Sequence, residues 1–295
     1  MTNLSAIREE NAVFKSEQHR SAVCVFTMVT LFPDPTGYVL GRSEAKFAAQ
    51  RAKPESLKPN AKIVFFQGDA CDSIAAAESK VDYLFMSAGL IPLNGPQQGL
   101  GICFSLPYHA RIRLIQKLKL LPLLRKSPDP RVLSVLNAGN ETPLREDDMG
   151  LDKNWALRAA MNHTTAMMSC LPLAYLAQAH EDVTFLYAFP GLLEALTESS
   201  WLWKLVVMSI KNVVGMLMWL RGISPEESGE RQSWHRTVGE FEKGKLRQSG
   251  EYSDEIPASN MNVFENYNER GWPENVWAYT TRVFKAATAG SVSSG

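Results

Sequence analysis

Four short runs of buried-strand type, separated by stretches of helical length, set the architecture this chain can adopt. They are 61–67 (AKIVFFQ), 81–86 (VDYLFM), 131–136 (RVLSVL) and 182–189 (DVTFLYAF). Each is apolar at positions that fall on both sides of a strand, so a strand built from it must be covered on both faces. Helical stretches are expected at 70–80, over a long pattern from 99 to 126 interrupted by Pro107 and Pro122, and at 154–180. Two further strands, 22–27 (AVCVFT) and 37–40 (GYVL), precede a helix at 43–56. Strands of this kind alternating with helices predict an α/β fold, a parallel sheet with helices on both faces.

The turns at the ends of these strands carry four further signals: Gly41-Arg42-Ser43, Asp69, Ser87-Ala88-Gly89 and Pro190-Gly191. In this order, over 22–231, they resemble the short-chain dehydrogenase/reductase family, whose core is a Rossmann-like sheet. The resemblance implies that Arg42 and Ser43 meet an NADP 2′-phosphate and that Asp69 contacts the adenine. It also implies that Ala88 and Gly89 form the turn after the fourth strand, and that Pro190 and Gly191 close over the nicotinamide. Residues 122–124 and the run 224–231 (SPEESGER) are similar to fungal members associated with secondary metabolism.

The departures from that pattern are specific. The family's cofactor loop, Thr-Gly-x-x-x-Gly-x-Gly, presents backbone N–H groups and a helix N-terminus to the pyrophosphate. After Phe26 this chain reads TMVTLFPDPTG, with no glycine before Gly37. Only 28–36 separate the two expected strands, whereas a parallel crossover needs about a dozen residues. The first βαβ unit therefore reads as truncated. Gly95, Gly99 and Gly101 repeat the glycine spacing, but after the wrong strand and with Pro96 among them. None of the tyrosines has a lysine four residues on, and no lysine occurs between Lys153 and Lys204. Counting back from Pro190-Gly191 puts Asn162 at the family's tyrosine and Ala166 at its lysine. The family's serine falls on Asn137 and its helix asparagine near Ser105. NADP is implied by the resemblance, yet weak or absent binding is expected.

A crevice at the carboxyl ends of the strands would collect Ser87, Tyr108, Arg111, Asn137, Asn140, Glu141, Asn162 and His163. His163 with Glu141 suits a general base and its orienter, and Asn137 can polarise a carbonyl. The alternative is a hydrogen-bonded helix histidine and a strand-capping asparagine. Glu146, Asp147, Asp148 and Asp152 read as a solvated turn before a helix, so no metal site is expected.

The chain divides into a polar N-terminal extension (1–20), an incomplete Rossmann-like core (21–198), an apolar helical lid segment (199–231) and a C-terminal segment (232–295). Lys+Arg and Asp+Glu both total 31, which argues against nucleic acid as a partner. The scattered Cys24, Cys71, Cys103 and Cys170 and the polar first 20 residues suit the cytoplasm. Residues 201–220 (WLWKLVVMSIKNVVGMLMWL) are long enough to span a bilayer, but Lys204, Lys211 and Asn212 share one helical stripe. An amphipathic lid over an apolar small-molecule substrate is expected, with membrane-surface association and a true span as alternatives. Oligomeric state stays open. Three functions fit: an NADP-type oxidoreductase, a cofactor-independent isomerase, dehydratase or cyclase, and a non-catalytic pseudoenzyme or truncated gene product.

Overall fold

The computed structural model describes residues 3–17, 21–25, 32, 34–41, 43–67, 71–87, 108–116, 120–139, 141–169, 171–189, 225–237, 244–249 and 258–292. Among them, seven strands form one sheet: β1 (Val23–Val25), β2 (Thr36–Gly41), β3 (Lys62–Gln67), β4 (Tyr83–Met86), β5 (Arg131–Val135), β6 (Thr184–Ala188) and β7 (Arg247–Ser249). Their order is β3-β2-β1-β4-β5-β6-β7 and every pairing is parallel. The expected α/β architecture is the one the chain adopts. β7 comes from the C-terminal segment, so the sheet extends beyond 21–198.

The β1–β2 connection, positions 26 to 35, is as short as the sequence suggests, and the register explains why the strands still pair in parallel. Val23 lies opposite Thr36 and Val25 opposite Tyr38. The chain retraces only two strand residues, about 7 Å, and shifts sideways by one strand spacing, about 5 Å. Ten residues can reach about 33 Å. Phe32 of this connection is buried with Ala22, Cys24 and Tyr83, and stacks on the Tyr83 ring at 5.3 Å.

Alternation along the strands sends neighbouring residues into different clusters. Val132, Phe185 and Tyr187 join the main core with Val23, Val25, Leu84 and Met86, while Leu133, Val135, Leu186 and Ala188 form a second cluster. The main core is covered by α3 (Cys71–Ala77), α5 (Leu120–Leu124) and α7 (Leu171–Ala179), through Ile74, Leu120, Leu124, Leu173 and Leu176. Each fully buried side chain of this size contributes about 1.5–3 kcal/mol. α2 (Glu44–Leu57) packs on β3 by stacking Phe47 on Phe65 at 5.1 Å.

The helical stretch expected over 154–180 is helical over α6 (Leu157–Ser169) and α7, and Pro172 lies buried within α7. The described part of the 99–126 pattern is helical over α4 (Ala110–Gln116) and α5, which contains Pro122.

The polar extension folds as α1 (Leu4–Glu17) and packs on α8 (Pro225–Thr237). Asn11 donates to the Glu230 carbonyl and carboxylate, both at 3.0 Å, and Trp234 Nε1 donates to Glu10 at 2.6 Å. At the C-terminus, α9 (Ala258–Glu269) and α10 (Trp272–Val292) share a core with α4, α6 and α7 through Tyr267, Val276, Ile112, Ala166 and Leu171. Trp277 stacks on Tyr175 at 5.0 Å. No helix among the described residues is long and apolar enough to cross a membrane.

Candidate functional site

The carboxyl end of β5 is where polar side chains from several elements meet. Ser134 and Tyr187 are register partners on β5 and β6 and therefore share one face of the sheet. Arg111 approaches that face from α4 and is buried. Its Nη1 donates to Ser134 Oγ at 3.0 Å and to the Val135 carbonyl at 2.8 Å. Burial disfavours the guanidinium and lowers its pKa to about 10, against the pull of Tyr187. The Tyr187 hydroxyl accepts the backbone N–H of Asn137 at 3.0 Å. Just beyond, the Gly139 N–H donates to Glu141 Oε1 at 3.2 Å. The stretch 134–141 thus carries the acceptors of Arg111, together with Asn137 and Glu141.

Ser134 and Tyr187 are the members that sequence reasoning missed. The available signal was a polar atom at an inward position of an otherwise apolar strand.

His163 and Glu141 do not meet. His163 is 2% exposed on α6, and its Nε2 accepts the Arg145 backbone N–H at 2.8 Å. Burial depresses its pKa and Arg145 adds to this, while the Met149 backbone and Asp148 pull the other way. The ring is thus neutral, and the nitrogen that a general base would use already accepts a hydrogen bond. Asn162 is half-buried on the same helix and Ala166 is buried one turn further on. Tyr108, two residues before α4, bonds Thr280 of α10 through its hydroxyl.

Ser43 caps α2, accepting the Lys46 N–H at 3.4 Å. A Cβ at the preceding Gly41 would come within 2.8 Å of the Phe65 ring, so a larger residue there would force that ring to shift. Ser87 is exposed after β4. Arg42, Asp69, Ala88, Gly89, Pro190, Gly191 and Asn140 lie outside the described residues, as do the 95–101 glycines and the 201–220 segment.

The acidic stretch is built as a turn. Asp148 accepts the backbone N–H groups of Asp152, Lys153 and Asn154 at 2.8, 3.1 and 2.9 Å, and Asn154 Nδ2 at 3.0 Å. Burial pushes its carboxyl up, but these four donors outweigh that and hold it below the ordinary range. Glu146 pairs with both Nη atoms of Arg270, at 2.8 and 2.9 Å. Among the described residues no group of side chains is arranged to hold a metal ion.

The chain superposes on a 3-oxoacyl-(acyl-carrier-protein) reductase of Agrobacterium tumefaciens solved with NADP bound. The TM-score is 0.55 at 15% identity, covering 82% of this chain and 96% of that one. It also superposes on a short-chain dehydrogenase/reductase of Serratia marcescens, with a TM-score of 0.50 at 12% identity over 80% and 99%. The fold is that of the short-chain dehydrogenases/reductases. In sequence, the chain is similar to the Aspergillus flavus oxidoreductase lepF, 28% identical over 89% of this chain and 87% of that protein. An Emericella nidulans oxidoreductase is 29% identical over 86% of each. No family model matches the chain.

The connection between β1 and β2 holds no glycine. A dinucleotide pyrophosphate needs close backbone N–H groups at a helix N-terminus. Here ten positions, none of them glycine, join the strands, and Phe32 among them is turned into the core.

Proposed function

We propose that this chain is a short-chain dehydrogenase/reductase-type protein of fungal secondary metabolism that receives an apolar small molecule and has lost nicotinamide-dependent redox chemistry. The observation that carries the reading is the glycine-free connection of ten residues between β1 and β2. Asn162 and Ala166, at the positions of the family's tyrosine and lysine, support it. Arg42 does not restore affinity, since one surface ion pair contributes only about 0–1 kcal/mol.

Any remaining chemistry is non-redox and centres on the end of β5. The side-chain amide of Asn137 can polarise a substrate carbonyl there, with Tyr187 and Arg111 fixing the backbone that carries it. His163 acts by positioning the 144–149 stretch. A chain without catalysis is the limit of the same reading.

A second reading, an NADP-dependent oxidoreductase, is favoured by the similarity to fungal proteins named oxidoreductases along most of the chain. Titrating NADPH into the purified chain, followed by nucleotide fluorescence or calorimetry, separates the two. The first reading expects no saturation below roughly millimolar NADPH, a binding free energy weaker than about −4 kcal/mol. Saturable binding in the micromolar range gives the second.

A further inference from the structure

We propose that the stretch 144–149 is a pH-sensitive latch, held against α6 by neutral His163 and released when that imidazole takes up a proton. The stretch lies a few residues beyond Asn137 along the same connection, so its release loosens the chain beside the candidate site.

The geometry sets the direction of the switch. Nε2 of His163 accepts the Arg145 N–H at 2.8 Å, so this nitrogen carries no proton and the ring proton sits on Nδ1. Nδ1 is buried. A second proton can only go to Nε2, which turns an acceptor into a donor aimed at another donor. The hydrogen bond is then replaced by repulsion, with a charge left in a buried position.

Every other fastener of the stretch keeps its state between about pH 5 and 8. From α9, the Tyr267 hydroxyl accepts the Leu144 N–H at 2.8 Å, and Arg270 holds Glu146. From the stretch itself, Arg145, Asp148 and the Met149 backbone face the imidazole, the last two favouring its charged form, and Asp148 is bonded to the backbone that follows it. From α10, Tyr279 lies over Gly150 near Asp152 and Asp148. Burial holds both tyrosines above their ordinary range, and hydrogen bonds hold the Glu146 and Asp148 carboxyls below theirs. His163 is the one group in this ring whose charge changes in that window, and its depressed pKa places release on the acid side of about 6.5.

Hydrogen–deuterium exchange on the full chain at about pH 7.5 and about pH 5, corrected for intrinsic exchange, tests the latch. Peptides spanning 144–149 are expected to lose protection by about tenfold at the lower pH, the effect of one net hydrogen bond. Peptides from β5 and β6 are expected to keep theirs. His163→Gln supplies an amide oxygen that does not titrate, so the pH dependence of 144–149 should vanish, whereas His180→Gln should leave it intact. Equal protection at both pH values, a loss shared by β5 and β6, or an unchanged pH response in His163→Gln would each overturn the proposal. If His163→Gln does not fold, the wild-type comparison of 144–149 with the strands decides alone.

Discussion

Asp82 stands immediately before β4 and ties three parts of the molecule together, which makes it the sharpest test of how the short first strand is held. It is 1% exposed. One carboxylate oxygen accepts the Val23 N–H at 2.9 Å, at the start of β1. The other accepts the Ser127 hydroxyl at 2.5 Å and the Lys80 ammonium at 2.8 Å. In Asp82→Ala the Val23 N–H and the Ser127 hydroxyl lose their acceptor inside the protein, at about 1–3 kcal/mol each. Lys80 is 35% exposed and recovers water, so its loss adds little. The sum is about 2–6 kcal/mol, a fall in Tm of roughly 4–24 °C for a chain of this size. Asp82→Asn keeps one oxygen for Val23 and a group that can bond Ser127, so about 1–2 kcal/mol is expected. Urea unfolding followed by far-UV circular dichroism measures both variants. A loss below about 1 kcal/mol for Asp82→Ala would refute the reasoning. Equal losses in the two variants would show that charge, not the count of satisfied donors, holds β1 in place.

Further outcomes follow from other parts of the structure. His163 and His180 have folded pKa values below the ordinary histidine value, in both cases chiefly through burial. Above about pH 6.5 both states are neutral and pH has no effect; as pH falls below it the unfolded chain takes up protons first, so the urea midpoint should drop between about pH 7 and 5. A flat profile there would contradict these assignments. Asp148 and Asp182 have depressed pKa values, so a further loss should set in below about pH 4, as their carboxylates are forced to protonate. Gly271, at φ +70° between α9 and α10, has open space around it, so Gly271→Ala should cost about 1–2 kcal/mol in thermal unfolding through backbone strain alone. Fractionation of cells expressing the chain should recover it without carbonate-resistant membrane material; a pellet that resists both salt and carbonate would replace the lid with a membrane anchor.

The sequence by itself determined the layered architecture. Runs such as RVLSVL and DVTFLYAF are apolar on both faces, and a strand of that kind is stable only inside a sheet covered on both sides. The sequence also determined that the connection after β1 holds no glycine, because the residues from Phe26 to Thr36 can be read without coordinates. Tertiary structure alone decided the register that lets so short a connection join parallel strands, and it alone decided the partners within the site. Arg111 reaches Ser134 across 23 positions of sequence, Leu144 finds Tyr267 across 123, and Asn11 of the N-terminal helix finds Glu230 across 219. His163 was legible as a histidine on a helix, but its role turned on Arg145, 18 residues earlier, presenting a backbone N–H to it. Periodicity is a local property that a window of residues carries in full. A hydrogen-bond partner is chosen by how distant elements pack, and nothing within the window records that choice.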